Sequence, residues 1–538
     1  MTVNIPGIVA VAVFYVAILV IGVIAGRKTS KSTSNDAVLL ADRSFGIFVS
    51  CFTITATMVG GGYINGSAES AAWNGLVQTQ APVGYCLALL LGAIFYAPKM
   101  REEKYITMFD PFQLKYGKKV GAILFIPHIL GDLFWSAAVL AALGATISII
   151  LDMNATVAIV VSAAVAIIYT VFGGLYSVAY TDVIQLFFIA IGLVVACPFS
   201  LMHPSVDLSR ISDTWRGDIP TNTIGSYVDV FLLCTMGGIP WQSFYQRTLA
   251  CKTVQVARVS TLIASVFSFS LAVPPIIMGF AGAAADWNAT DYQGPLPIPE
   301  DMKSYILPLT LTYLTPLPVS IIGIGAISAA VMSSADSCIL ATSSVFSKNI
   351  YAEIIRPQAT EKELIWVLRI SIVVVGALGT LIAVFSKTIY GLYVLCSDMM
   401  YVVLFPQLTI VLYMPSSNAY GCMAGFFVSL ILRLASGEPV LGIPPGIKFP
   451  YFDEEAQKQL FPFRTFAMLV GTISIIAVSY TTDAIFSRGI LPRKYDFLKS
   501  YRHRTIKRRY SKCDFLENSN KEQIITLNSI KNNVDPET

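Results

Sequence analysis

The chain has 538 residues, 55% of them hydrophobic and only 13% charged, with a mean hydropathy of +0.66. So apolar a composition excludes an ordinary soluble domain. The formal net charge of +4 is small, and the positions of the basic residues carry more information than their sum.

Apolar runs of roughly 20 residues recur along the chain, each long enough to cross about 30 Å of hydrocarbon. About thirteen spans are expected, starting near Ile5, Gly46, Val77, Val120, Thr156, Asp182, Ser226, Val259, Val319, Leu364, Thr388, Tyr420 and Phe463. Met1 to Pro6 has no basic n-region, so the first span reads as an uncleaved helix. Arg27, Lys28 and Lys31 follow that span; Lys99, Arg101, Lys104, Lys115, Lys118 and Lys119 follow the third; Arg247, Lys252 and Arg258 follow the seventh. By the positive-inside rule these loops are cytoplasmic, which places the N-terminus outside and the tail inside. Arg502, Arg504, Lys507, Arg508 and Arg509 lie just beyond the last span and agree. Beside a membrane such a run meets anionic lipid rather than nucleic acid.

Two segments break the helical pattern. Thr53 to Ser67 is too rich in glycine to stay a regular helix, and in Met236 to Gln246 Pro240 removes a backbone donor and clashes with the preceding turn. Irregular backbone at membrane depth is tolerated only where it lines a cavity or is buried in protein. Transporters built from inverted repeats carry such interruptions at matching places in their two halves. The expected organisation is therefore an extracellular N-terminus, first helix and loop over 1–45, and a first inverted repeat with its following loop over 46–225. A second repeat over 226–418, two further helices over 419–482 and a cytoplasmic tail over 483–538 complete it.

Aromatic residues cluster near the breaks: Tyr85 in the third span, Trp135 three residues after Asp132 in the fourth, Trp241 directly after Pro240, and Tyr393 near Asp398 in the eleventh. Aromatic faces attract cations, quaternary ammonium groups above all. Between the seventh and ninth spans, Asn288-Ala-Thr290 is a glycosylation sequon in an expected outside loop, whereas Asn65 and Asn154 match the pattern within or too near a span. In the ninth span, Ser333, Ser334, Asp336 and Ser337 interrupt an apolar stretch from Val319 to Phe346. An ionisable residue at that depth marks an ion or substrate pathway by default. Ser333, Asp336 and Ser337 share one helix face, and their oxygens suit a hard cation such as Na+. The competing reading is that the serines serve close packing and Asp336 pairs with a hidden Lys or Arg.

The nine cysteines lie in or beside spans, apart from Cys513 in the tail, and none is placed for an extracellular disulfide framework. From Ser511 the chain turns polar and aperiodic; Ile524-Ile525 there is a candidate sorting signal for trafficking adaptors. An enzyme is not expected, because His128, His203 and His503 are widely separated and no nucleophile stands beside a base.

Six motifs carry a family resemblance: Thr55-Ala-Thr-Met-Val-Gly-Gly-Gly-Tyr-Ile-Asn-Gly66, Gln80-Ala-Pro-Val-Gly-Tyr85, Gly144-Ala-Thr-Ile-Ser148, Gly173-Gly-Leu-Tyr-Ser-Val-Ala-Tyr-Thr-Asp182, Gly237-Gly-Ile-Pro-Trp-Gln242 and Ser328-Ala-Ala-Val-Met-Ser-Ser-Ala-Asp-Ser337. In these the chain resembles choline-transporting members of the sodium/solute symporter family over nearly its whole length. The resemblance implies a leucine-transporter-like fold of thirteen spans and a chloride-dependent, Na+-driven import of choline for acetylcholine synthesis. It also implies a multi-pass plasma-membrane location, at presynaptic terminals and synaptic vesicles. Carried over, a sodium site would take the carbonyls of Ala56, Val59 and Ala330 and the hydroxyls of Ser333 and Ser334. A second cation position of some relatives would involve Thr57, Ser334, Asp336, Ser337 and Asp182. A substrate cage would draw on Tyr85, Trp135 and Trp241, with Met58 and Tyr393 where choline transporters carry tryptophan. Asp132 stands in place of a glutamate and Cys338 in place of a serine. The alternatives are a different small solute in the same family, or a sensor that binds solute without transporting it.

Overall fold

The computed structural model describes residues 35–500 apart from 152–153, 387–388, 439–440 and 456, together with 13, 15–22, 24 and 25. The expected span starts at Ile5 and Thr388, the basic flank from Arg27 to Lys31, the basic run from Arg502, Cys513 and Ile524-Ile525 lie outside the described residues.

The first interrupted span is formed by α1 (Ile47–Met58) and α2 (Gly61–Asn74), bent by 54°. After it come α3 (Ala81–Glu102), α4 (Lys118–Leu151), α5 (Ala155–Ile168) and α6 (Gly174–Leu201). The second interrupted span is α7 (Ile224–Met236) and α8 (Gln242–Leu249). The chain continues through α9 (Val254–Ala284), α10 (Leu317–Val345), α11 (Glu361–Phe385), α12 (Gly391–Tyr413), α13 (Ala419–Ala435) and α14 (Phe463–Ser487). Between α13 and α14 lies a small antiparallel hairpin, β1 (Phe452–Asp453) and β2 (Lys458–Gln459). Among the described residues eight helices are long and apolar enough to cross a membrane, and the α1–α2 pair makes a ninth.

The helix ends follow local chemistry. Val59 (φ −85°, ψ 64°) and Gly60 (φ −87°, ψ 175°) leave helical geometry. At the second break Trp241 is extended (φ −107°, ψ 125°), one residue after Pro240. Between α5 and α6 the turn is at Gly174, whose φ of 57° and ψ of −160° are open to glycine. The sixth span was expected to start at Asp182, but α6 begins at Gly174, so the carboxylate sits about two turns inside the helix. Partners from other helices allow this: Asp182 Oδ1 accepts from Ser333 at 2.5 Å and Oδ2 from Arg247 at 3.1 Å.

The core runs along α10, where every residue from Ala326 to Val345 is buried. This helix packs against α6 and α4, and at its middle it meets α1 and α8. All eight residues of α8 are buried although five of them, Gln242, Ser243, Gln246, Arg247 and Thr248, are polar or charged. One expectation fails here. Arg247 was assigned to a basic loop after the seventh span, but it lies in α8 with no exposed surface. The guanidinium is drawn inside by a buried carboxylate, described below. Arg101, placed in a basic loop by the same rule, is also buried and donates to the Cys251 carbonyl at 2.8 Å. On the outside, Ile370, Val373, Val374, Leu378 and Leu381 of α11 expose an apolar flank suited to lipid tails. The eight described cysteines are free thiols.

Candidate functional site

Both interruptions open towards the middle of the bundle. There Met58, Gly60, Tyr63, Tyr85, Trp135, Trp241, Tyr393 and Cys396 line one cavity of about 20 Å³, on the scale of a single water. All five residues proposed from sequence for substrate binding are in this lining; Tyr63 and Cys396 were not anticipated. The Trp135 and Trp241 rings meet edge to face with centroids 4.8 Å apart. Tyr85 lies 6.0 Å from Tyr393 and 6.1 Å from Tyr63. The polar atoms of two of these rings are engaged outside the cage lining. Trp241 Nε1 donates to the Gly237 carbonyl at 2.8 Å inside its own break, and the Tyr85 hydroxyl shares a 2.8 Å hydrogen bond with Ser397. Trp241 and Tyr85 therefore offer the interior π-face and ring edge. No charged side chain lines it. Such a surface suits a cation that forms no hydrogen bonds of its own.

A string of cavities leads to the cage. A large one of about 580 Å³, lined by Gln78, Asp218, Tyr227, Lys458 and Arg464 among others, lies beneath the β-hairpin. A second of about 30 Å³ shares Gln78, Gln80, Val230 and Val394 with that vestibule, and Tyr63 and Tyr393 with the cage. The vestibule wall is braced by ion pairs that sequence reading missed. Asp398 accepts from Arg433 Nε at 2.7 Å and Arg464 Nε at 2.9 Å, and Asp229 accepts from the Thr465 amide at 2.7 Å. These contacts tie α7, α12, α13 and α14 together. Asp398 was legible only as a polar residue in a span, because its partners are 35 and 66 residues away in sequence.

Below the aromatic cavity the unwound α1 meets α10. A helix leaves its last four carbonyls without intrahelical partners, which here are those just before the break, and their negative end favours a cation. Ser334 Oγ reaches into this set and donates to the Thr57 carbonyl at 2.9 Å. The approach depends on Gly60, where an added Cβ would lie 2.3 Å from Ser334 Oγ. Ala56, Val59 and Ala330 are fully buried around this junction. Ser333, proposed for the same site, turns its proton to Asp182 Oδ1 at 2.5 Å.

The second proposed cation position is crossed by a guanidinium. Arg247 donates to Thr53 Oγ1 at 2.9 Å, to the Ser243 carbonyl at 3.0 Å, to Asp182 Oδ2 at 3.1 Å and to Ser337 Oγ. Thr53 also donates to Asp182 Oδ2. Thr57 Oγ1 lies 3.2 Å from Ser337 Oγ, and Ser337 Oγ lies 3.3 Å from Asp336 Oδ1. Thr57, Asp182, Asp336 and Ser337 are all fully buried. Sequence offered one hint of Arg247: no loop-forming residue separates it from the break. One turn from the cage, Asp132 accepts from Thr342 and lies 3.2 Å from His128 Nδ1, both fully buried. Asn288 is exposed in a 3-10 turn, Trp287–Ala289, and lines none of these cavities.

The profile of the sodium:solute symporter family matches residues 38–429. The high-affinity choline transporter 1 of Drosophila melanogaster is 48% identical over 500 residues, covering 92% of this chain and 81% of that protein. The Homo sapiens protein of the same name is 43% identical over 536 residues, covering 97% and 92%. Among solved structures, a Na+-coupled sialic acid symporter superposes with a TM-score of 0.74 at 18% identity, over 88% of this chain and 97% of that one. A nucleobase-cation-symport-1 family transporter gives 0.53 at 14% identity, over 84% and 97%. At these identities the superpositions establish the fold, a leucine-transporter-like bundle.

Proposed function

Because the chain belongs to the sodium:solute symporter family, we propose that it is a Na+-coupled importer of choline, with the aromatic cage as the choline site. The observation that carries this reading is the cage itself: five of its eight lining residues are large aromatics, drawn from α2, α3, α4, α12 and the break between α7 and α8, and no lining residue is charged. A trimethylammonium head gains cation–π attraction from such walls, and a competing metal ion finds no carboxylate ligand there. The relatives named choline transporters support the same substrate. Chloride dependence, supply of acetylcholine synthesis and a presynaptic plasma-membrane and vesicle location belong to the proposal through the family resemblance, glycosylation at Asn288 through its sequon and an outside N-terminus through the positive-inside rule.

Na+ binds at the junction of α1 and α10, to carbonyls of Ala56, Val59 and Ala330 and to the Ser333 and Ser334 hydroxyls. It holds the two helices together and so sets the position of Met58 at the end of α1. Choline arrives through the vestibule and the narrow passage behind Tyr63 and Tyr393. At about 20 Å³ the cage must widen to receive it, and closing around the cation then buries both ligands. Inward opening releases Na+ to a cytoplasm poor in it. Coupling needs only that each ligand favours the same conformations.

A second reading, a different small solute, is favoured by Met58 and Tyr393 standing where choline transporters carry tryptophan. Radiolabelled choline uptake with Na+ or Cl− replaced separates the possibilities. Uptake lost without either ion supports the proposal; a surface-expressed protein with no choline uptake under any ionic condition refutes it. Substrate-evoked current without tracer accumulation identifies a sensor.

A further inference from the structure

We propose that Arg247 is a resident cation filling the second cation position, so that the transporter carries a single Na+ per cycle. The inference rests on the Na+-coupled reading above and goes beyond it by assigning the ion stoichiometry to one side chain. The observation is the placement of the guanidinium. It stands among Thr53 of α1, Asp182 of α6, Ser243 of α8 and Ser337 of α10, at 2.9 Å, 3.1 Å and 3.0 Å from the first three acceptors, and both charged partners are wholly buried.

Oxygen donors of this kind, one carboxylate and several hydroxyls, are what a hard cation would take. Here the directions of the hydrogen bonds already satisfy a positive charge. Asp182 Oδ2 faces Arg247 and Thr53, while Oδ1 accepts from Ser333 at 2.5 Å. A Na+ among the same oxygens would sit within a few ångströms of a guanidinium in a medium of low dielectric, where like charges repel strongly. Arginine also cannot relieve the repulsion by giving up its proton. Unlike a bound ion, the side chain does not leave when the protein opens inward. The carboxylate therefore stays neutralised throughout the cycle, and only the α1–α10 junction loads and unloads.

The pair also acts on that junction. Ser333 gives its proton to Asp182 and keeps its oxygen lone pairs, which are then free to face a cation. Arg247 thus stabilises the charged acceptor that orients a sodium ligand.

The test is the ratio of 22Na+ to radiolabelled choline entering proteoliposomes at fixed membrane potential, together with the steepness of Na+ activation. The full-length protein is expected to give a ratio and a Hill coefficient of about one. Arg247→Gln leaves Asp182 without its cation, so Na+ fills the position and both values rise towards about two. Because an unpaired buried carboxylate is strongly destabilising, Asp182→Asn/Arg247→Gln removes both charges and is expected to keep the ratio at about one. A wild-type ratio of about two overturns the inference, as does a ratio of about one in a functional Arg247→Gln protein or about two in the double variant. Those results leave Na+ coupling itself intact. Uptake indifferent to Na+ would instead overturn the symporter reading and this inference with it.

Discussion

Trp241→Ala tests the cage most directly. The indole is only 3% exposed, and its nitrogen is engaged by Gly237 at 2.8 Å, so its contribution to a bound cation comes from the ring. In so dry a site a cation–π contact is worth about 2 kcal/mol. The edge-to-face contact with Trp135 at 4.8 Å adds roughly 0.5 to 1.5 kcal/mol to the packing of the cage itself. Part of the ammonium interaction is recovered by water entering the space left behind, so the expected net loss is about 1 to 2 kcal/mol, or about 5-fold to 30-fold in choline affinity. The assay is competition of radiolabelled choline by choline and by 3,3-dimethylbutanol, an uncharged analogue of the same shape. A packing defect weakens both ligands alike. Loss of a cation–π wall weakens choline and spares the analogue, and Trp241→Phe should fall between wild type and alanine. A protein at normal surface density with unchanged choline affinity, or with equal losses for both ligands, would refute the assignment of Trp241 to the cation.

Ser334→Ala removes the hydroxyl facing the Thr57 carbonyl at 2.9 Å and should raise the Na+ concentration for half-maximal uptake about 3-fold to 10-fold with little change in solute preference; unchanged Na+ activation would move the sodium site elsewhere. Gly60→Ala drives a methyl to 2.3 Å from Ser334 Oγ and should abolish Na+ activation at normal expression, while Gly60→Ala/Ser334→Gly relieves the clash without restoring wild-type Na+ affinity. Met58→Phe adds a π-face with modest extra bulk and should tighten choline about 2-fold to 5-fold; a well-expressed variant with no gain in competition binding would indicate that this wall does not touch the ammonium. Asn288→Gln should remove a mobility shift on glycosidase treatment without changing uptake, since the residue is exposed and does not line the cage; wild-type protein from glycosylating cells that shows no such shift would exclude the modification.

Membrane class, helix identity and the two interruptions were legible in the chain alone, because each depends on neighbouring residues. An apolar run of span length has few other solutions, and Gly60-Gly-Gly and Pro240 each weaken the local helix. The aromatic residues near the breaks were likewise visible, but only packing shows that Tyr63 and Cys396 join them and that the enclosed space is about 20 Å³. Charge was where local reading failed. A lone arginine after a span reads as a loop residue by the positive-inside rule, yet Arg247 is wholly inside the protein. Its carboxylate partner lies 65 residues away in sequence, and no pattern along the chain announces that the two helices bring them to 3.1 Å. Hydropathy is a sum over neighbours and survives in sequence; the pairing of buried charges depends on which helices touch, so it is decided only by the folded bundle.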